Sequence, residues 1–223
     1  MTPPESAAAA SSGRSPSRDA AAAQRVAARQ ARRSLDPTTR SQAETSIGAL
    51  VASLDELQGP GRIGWYHAAD GEVDLAAQVA ALRQRGWQVF LPVIGPAYSM
   101  RFMAWEDGGR LEANRHGILE PVVDPRAGAA GPVTGTDPVA DSTVLVDAAM
   151  LDVIVVPCVA VDPAGHRLGF GAGYYDRALA DARDIVRLGA VFEVQLVDRI
   201  DPAPWDVPLD VVVTEERVIR PGR

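Results

Sequence analysis

The chain has 223 residues, 47% of them hydrophobic, and a net charge of −7, which suits one sizeable α/β domain and argues against general nucleic-acid binding. No apolar run approaches the roughly 20 residues of a membrane span, and the N-terminus has no secretory h-region. The single cysteine, Cys158, excludes an intramolecular disulfide and a cysteine-based metal site. We expect a cytoplasmic enzyme, and because the chain has no lysine, arginine must supply most of the cations that hold any phosphate group.

The N-terminal region predicts a tail followed by two helices. Residues 1–18 are rich in Ala, Ser and Pro and have no apolar periodicity, so they predict a disordered tail before a single domain over residues 19–223. Asp19 can cap a first helix that ends near Ser34. A second helix is predicted over residues 38–57, after an Asp-Pro pair that is typical of helix starts.

The first predicted helix carries arginines at helical spacing. Arg25, Arg29 and either Arg32 or Arg33 share one face of this helix. Such a stripe is either a solvated basic face or a surface that binds an anion. The helix alone does not decide between these two interpretations.

Strands and helices alternate through the rest of the chain. The predicted strands cover residues 62–66, 88–93, 99–105, 151–157, 185–191 and 211–214, and the predicted helices cover 74–85 and 174–182. The run over 151–157 is almost continuously apolar, as expected of a parallel strand that is buried on both faces. This alternation favours a doubly wound, mostly parallel α/β sheet whose ligands gather at the carboxyl ends of the strands.

A glycine-rich block links one of these strands to the last predicted helix. It reads Arg167-Leu-Gly-Phe-Gly-Ala-Gly-Tyr-Tyr-Asp176. Glycines allow positive φ and a close approach of a ligand to the backbone, and the amide groups at a helix start suit an anion. The spacing differs from the P-loop and from the dinucleotide fingerprint. The block is therefore either a plain strand-to-helix connection or a phosphate site, and its flanking Arg167 and Asp176 favour the phosphate site.

Several short motifs accompany this block in a fixed order. They are Arg25-x-x-x-Arg29, Gly71-Glu72-Val73-Asp74, Met100-Arg101-Phe102, Gly117-Ile118, Phe192-Glu193-x-Gln195 and Asp206-Val-Pro-Leu-Asp210. Together with the glycine-rich block, this set resembles the 5-formyltetrahydrofolate cyclo-ligase family over about residues 22–215. The resemblance implies a three-layer α/β/α sandwich, small-molecule substrates, and conversion of 5-formyltetrahydrofolate and ATP to 5,10-methenyltetrahydrofolate, ADP and phosphate. It also implies Mg²⁺ as cofactor and ATP as co-substrate. We expect the protein to be a monomer.

The resemblance assigns roles to individual positions. The implied ATP-binding residues are Arg25, Arg29, Arg167, Leu168, Gly169, Phe170, Gly171, Ala172, Gly173, Tyr174 and Tyr175, of which Arg167 and Tyr174 are also the expected catalytic residues. The expected substrate-binding residues are His67, Glu72, Trp105, Tyr174 and Tyr175, and the expected magnesium ligands are Asp176 and Asp206. Ala172 departs from the family, which carries glycine or lysine there, so a phosphate contact by a lysine is lost.

Plainer interpretations remain for single residues. Glu72 can be a solvated carboxylate at a helix start, Asp206 a turn residue, and Trp105 a core aromatic rather than a platform for the pterin. Two other function classes also stay open: a nucleotide-binding member of the family without turnover, and a sugar-phosphate isomerase or CoA-transferase-like enzyme of similar fold. The isomerase or transferase would need no ATP.

Overall fold

A computed structural model describes residues 16–115, 117–122 and 144–222 of the chain. Of the tail predicted over residues 1–18, residues 1–15 lie outside the described part of the chain, whereas residues 16–18 belong to the first helix, so the prediction of disorder is wrong for these three residues. The helices are α1 (Pro16–Arg33), α2 (Pro37–Ser53), α3 (Ala76–Gln84) and α4 (Tyr174–Leu179). The strands are β1 (Arg62–Gly64), β2 (Gln88–Ile94), β3 (Met100–Ala104), β4 (Leu111–Ala113), β5 (Leu119–Pro121), β6 (Leu145–Val146), β7 (Val153–Val155), β8 (Ala160–Val161), β9 (Arg167–Leu168), β10 (Val186–Ala190), β11 (Val211–Val213) and β12 (Val218–Ile219).

The starts of the first two helices follow local chemistry. α2 begins after Asp36, whose carboxylate accepts hydrogen bonds from the backbone amides of Thr38 and Thr39. α1 begins at Pro16, so the prediction that Asp19 caps this helix is wrong. Proline is favoured at the first helical position, and Asp19 lies in the first turn, where its charge complements the helix dipole.

Eight strands form one twisted sheet in the order β12-β11-β10-β7-β1-β2-β3-β6. The five strands from β11 to β2 are parallel. The edge strand β12 and the strand β3 run antiparallel to them, and the other edge strand, β6, pairs in antiparallel fashion with β3. From β1 the following strands β2 and β3 are added on one side, and from β7 the following strands β10 and β11 are added on the other side. The sheet is therefore doubly wound, with its switch point between β1 and β7. In such sheets the crevice outside the carboxyl ends at the switch point is the usual place for a ligand.

Helices cover both faces of the sheet, which confirms the predicted three-layer sandwich. Val153 and Val155 of β7 point into the core that contains residues of α2 and α3, whereas Ile154 and the following Val156 point into the core that contains Leu179 of α4. Alternate side chains of a strand point to opposite faces, so a strand between two layers must be apolar throughout. This explains the continuous apolar run over residues 151–157.

A hairpin that the sequence pattern does not predict positions the glycine-rich block. Strands β8 and β9 pair in antiparallel fashion, and the Asp162 carboxylate accepts hydrogen bonds from the amides of Ala164 and His166 in the turn between them. The second strand ends at Leu168, where the glycine-rich block continues toward α4.

In the part of the chain that the structure describes, no helix is long and apolar enough to cross a membrane.

Candidate active site

The candidate site lies at the switch point of the sheet. The turn after β1 supplies residues 67–72, the segment after β7 supplies Cys158, and the glycine-rich loop over 169–173 approaches from β9. Helix α1 contacts this region through its arginine face. The structure thus brings together four segments that are far apart in the sequence.

The glycine-rich loop is irregular backbone that ends at α4. Gly171 and Gly173 have φ values of 96° and 70°, which side-chain-bearing residues rarely adopt, and Gly173 immediately precedes α4. Phe170 is exposed, whereas Leu168 is buried in a small core beside Ala28 of α1. Leu168 is one of the predicted nucleotide contacts in this block, but its side chain faces the protein interior.

The arginine face of α1 meets this loop. Arg25 donates from Nε to the Gly169 carbonyl at 2.8 Å, and the Arg29 guanidinium lies 5.6 Å from the centre of the Phe170 ring. Both predicted basic residues therefore adjoin the glycine-rich loop. Arg32 is different: it is fully buried, although the helical spacing places it on the same stripe. The stripe thus combines partly exposed arginines with one that is fully buried.

Arg167 links the glycine-rich block to the segment with Asp206. Its guanidinium donates to Asp176 Oδ1 at 2.6 Å and to the Val207 carbonyl, and the Val207 amide donates to the same Asp176 oxygen at 3.3 Å. The sequence predicts direct contact of Arg167 with the nucleotide, but its side chain is buried and engaged in these bonds. Arg167 therefore holds Asp176 in place.

Asp176 and Asp206, the expected magnesium ligands, line one cleft. The cleft has a volume of about 680 Å³ and is bounded by Gly171–Gly173 on one side and Pro204–Pro208 on the other. Asp206 Oδ2 accepts a hydrogen bond from the Ala203 amide at 2.8 Å, which also fits the plain turn interpretation. Within the described residues no group of three or more His, Cys, Asp or Glu side chains could hold a metal ion, so protein carboxylates alone do not complete a shell there.

Glu72 is buried, so the interpretation as a solvated helix-start carboxylate is wrong. Only 8% of its surface is exposed, and Oε2 accepts a hydrogen bond from the Ala69 amide at 3.0 Å. The other oxygen, Oε1, has no hydrogen-bond partner among the described residues. Burial raises the pKa of Glu72 to about 7, against the opposing effects of the Ala69 amide and the Arg32 charge. A buried, unpaired carboxylate oxygen is costly and suits a ligand that pairs with it.

Two tyrosines share the surroundings of Glu72. The hydroxyl of Tyr66 donates to the Val73 carbonyl at 2.9 Å, whereas the buried Tyr175 hydroxyl has no partner within the described ranges. Burial raises the pKa of each tyrosine, and the Glu72 charge raises both further. Both phenols therefore stay neutral and can donate hydrogen bonds. Tyr175 and Glu72, two of the expected substrate-binding residues, lie close enough for the Glu72 charge to act on Tyr175.

Tyr174 is the first residue of α4, directly after the glycine-rich loop, and contacts Arg115 and Tyr98. Arg115 donates to the Tyr174 hydroxyl at 2.7 Å, and the Tyr98 ring lies 5.8 Å from the Tyr174 ring. The Arg177 guanidinium lies over the Tyr98 ring, 5.2 Å from its centroid. The sequence reasoning missed Tyr98, and its left-handed backbone (φ 59°) leaves no signal in the residue type.

The structure separates the two remaining predicted substrate contacts. His67 is exposed just beyond the carboxyl end of β1, close in sequence to Glu72. Trp105 lies at the opposite end of the sheet, where its amide donates to Val89 near the start of β2 and its ring contacts Arg83 at 4.7 Å. The structure therefore does not bring Trp105 to the site, and its packing against the core supports the plain interpretation.

Asp70 is a further residue that the sequence reasoning missed. Its carboxylate pairs with Arg29, Arg32 and Arg33, which ties the turn after β1 to α1. The available signal was the Asp70-Gly71 pair, which is typical of tight turns with two positive φ values.

Comparisons with known proteins identify a family for the chain. The model of the 5-formyltetrahydrofolate cyclo-ligase family matches residues 18–215. The 5-formyltetrahydrofolate cyclo-ligase of Escherichia coli is 29% identical over 194 residues, covering 85% of this chain and 97% of that protein. The enzyme of the same name from Haemophilus influenzae is also 29% identical, with coverages of 85% and 95%. The structure of the 5,10-methenyltetrahydrofolate synthetase of Aquifex aeolicus superposes with a TM-score of 0.72 at 27% identity, covering 91% of this chain and 93% of that one.

Proposed function

The chain belongs to the 5-formyltetrahydrofolate cyclo-ligase family, and we propose that it converts 5-formyltetrahydrofolate to 5,10-methenyltetrahydrofolate with ATP and Mg²⁺ in the cytoplasm. The observation that carries this proposal is the adjacency of two unlike features at the switch point. One is an arginine-lined, glycine-rich loop, and the other is the buried Glu72 with an unpaired oxygen. A phosphate-bearing and a polar organic substrate can therefore meet there.

The reaction needs activation of a poor leaving group. The formyl oxygen attacks the γ-phosphorus of ATP, and ADP leaves. N10 of the folate then attacks the activated formyl carbon and loses its proton, and cleavage of the carbon–oxygen bond releases phosphate. Phosphoryl transfer depends mainly on positioning and charge neutralisation. No protein nucleophile is required, which agrees with a buried Cys158 whose pKa is raised to about 12 by burial.

Arginines and backbone amides would hold the nucleotide. Arg29 keeps part of its guanidinium accessible, with 41% of its side chain exposed. Arg25 fixes the start of the loop through the Gly169 carbonyl. Gly171 leaves room for phosphate oxygens to approach the backbone, since a Cβ there would meet nothing within 4 Å. Arginine suits this role because its planar fork binds phosphate in bidentate fashion.

Asp176 and Asp206 fit a magnesium site shared with the nucleotide. Both line the same cleft beside the loop, and Mg²⁺ prefers one or two carboxylates together with phosphate oxygens and water. When bound, the ion would neutralise charge on the β- and γ-phosphates. Arg167 keeps Asp176 oriented through a 2.6 Å bond, so we assign it a positioning role rather than direct contact.

The folate would occupy the Glu72 side of the crevice. The unpaired Oε1 of Glu72 can accept a hydrogen bond from an N–H group of the pterin, and the Tyr175 hydroxyl can donate one. His67 is exposed just beyond β1, and Tyr174, beside Tyr98, would contact the folate. These groups support a folate subsite beside the phosphate subsite.

Turnover with single omissions tests the proposal. Purified protein is mixed with 5-formyltetrahydrofolate, ATP and Mg²⁺, and methenyl product is followed by its absorbance. We expect product only in the complete mixture, and Asp176→Asn serves as an inactive or slowed control. Turnover without nucleotide would favour the isomerase or transferase class, and nucleotide binding without turnover would favour a non-catalytic family member.

A further inference from the structure

The turn over residues 69–72, between β1 and α3, has an unusual backbone. Asp70 and Gly71 have φ values of 54° and 76°, and the Glu72 amide donates to the Ala69 carbonyl at 2.9 Å. Positive φ at both central residues is the pattern of a type I′ turn, which Asp-Gly favours. For Asp70 such a φ is uncommon and persists where surrounding contacts hold it.

Three arginines of α1 supply these contacts. Asp70 Oδ2 accepts hydrogen bonds from Arg29 Nε and Arg32 Nη2, both at 2.9 Å, and Oδ1 pairs with Arg33. The Asp70 carbonyl also accepts from Arg32 Nε at 3.1 Å. A single residue therefore fixes one face of α1 against the turn.

The two arginines on Oδ2 have different environments. Arg32 is fully buried and donates as well to the Cys158 carbonyl at 3.1 Å, so Asp70 supplies the charge that this buried cation requires. Arg29 is partly exposed and uses Nε for Asp70, and its Nη groups make no hydrogen bond to any residue that the structure describes. Asp70 thus holds Arg29 by one edge and leaves the other edge toward the glycine-rich loop.

We propose that Asp70 is a positioning residue that orients Arg29 for the nucleotide phosphates and fixes the turn that carries Glu72. This role rests on the proposed function, since it presumes a nucleotide beside α1. Glu72 belongs to the same turn, and its Oε2 accepts from the Ala69 amide at 3.0 Å. One carboxylate therefore aligns the phosphate subsite and the folate subsite with each other.

The charge of Asp70 matters as much as its position. Asn in place of Asp70 keeps the size of the side chain, but its NH₂ group would face an arginine donor in place of a carboxylate oxygen. Asn also removes the negative charge that attracts the Arg29 guanidinium, so any hydrogen bond that remains is weaker. Asp70→Asn is therefore expected to release Arg29 from its fixed orientation.

A double-mutant cycle with Arg29→Ala tests this role. ADP binding is measured by calorimetry for the wild type, Asp70→Asn, Arg29→Ala and the double variant, without folate. We expect each single change to weaken ADP binding about tenfold, and the double variant to bind less than about twofold more weakly than Arg29→Ala. Losses that multiply in the double variant would overturn the proposal, because Asp70 would then not act through Arg29.

Two further variants make the outcome decisive. Asp201 pairs with Arg199 at 3.1 Å on the exposed surface, so Asp201→Asn is a matched control that should leave ADP binding unchanged. If Asp70→Asn does not fold, Asp70→Glu replaces it in the same double-mutant cycle. This variant keeps a negative charge for Arg32 but displaces the carboxylate. Losses of ADP affinity that multiply in its double variant would again overturn the proposal. If the losses of ADP affinity do not multiply in the double variant but the wild type shows no folate turnover, only the proposed function is rejected. If the losses multiply and folate turnover is normal, only this inference is rejected.

Discussion

Replacing Glu72 with Gln is expected to stabilise the protein relative to the wild type increasingly from pH 4.5 to about pH 7, with the full gain above pH 7. The ordinary pKa of a glutamate is 4.5, and burial raises that of Glu72 to about 7. A group whose pKa is raised on folding takes up a proton between these values, so its contribution to stability is complete below pH 4.5 and is lost as the pH rises to about 7. The glutamine of this variant has no proton to lose and keeps an oxygen for the Ala69 amide.

The magnitude follows from the pKa difference. At 1.36 kcal/mol for each pH unit, the rise to about 7 corresponds to about 3 kcal/mol between pH 4.5 and pH 7. Because Glu72 is 8% exposed, little of this is lost to solvent screening. Urea unfolding at pH 5, 6, 7 and 8 should show Glu72→Gln gaining free energy of unfolding relative to wild type up to about pH 7, and levelling off beyond.

A matched control separates the site from general charge effects. Glu106 is exposed, so Glu106→Gln should shift the free energy of unfolding by less than about 0.5 kcal/mol at every pH. A difference between Glu72→Gln and wild type that stays constant from pH 5 to pH 8 would refute the reasoning that a buried, charged carboxylate destabilises the fold.

Three other results are expected from the same site. Glu72→Gln should raise the KM for 5-formyltetrahydrofolate about tenfold while the KM for ATP holds, because only the folate meets this carboxylate; equal losses for both substrates would count against it. Asp176→Asn and Asp206→Asn should each raise the magnesium concentration for half-maximal rate about tenfold with an unchanged fold, and wild-type magnesium dependence in both would restore the plain helix and turn roles. Arg29→Ala should raise the KM for ATP about tenfold with little change in magnesium demand, measured with Arg199→Ala as the surface control.

Features that depend on neighbouring residues could be predicted from the sequence. The start of α2 follows from Asp36 and Pro37, because capping acts within one turn of helix. The apolar run around β7 indicates a strand that is buried on both faces, since no other environment tolerates it. The glycine-rich block indicates an open loop because its chemistry is local. Each of these three features is determined by residues that are close together in the sequence.

Features that depend on distant residues could not be predicted. Arg32 has the same helical spacing as its neighbours, and its burial depends on Asp70 and Cys158, which lie 38 and 126 positions further along the chain. The two-residue strands β8 and β9 carry too short a pattern to be recognised. Trp105 has the residue type of a stacking platform, but the antiparallel direction of β3 carries it to the far end of the sheet. Its position depends on strand direction, which the residue type does not encode.

The fate of the formyl oxygen tests the central claim most directly. 5-Formyltetrahydrofolate labelled with ¹⁸O in the formyl group is converted with ATP and Mg²⁺, and the released inorganic phosphate is analysed by mass spectrometry. If the formyl oxygen attacks the γ-phosphorus, each phosphate released carries the ¹⁸O label and one ADP forms for each methenyl product. Unlabelled phosphate, or methenyl product formed without ADP, would contradict the account.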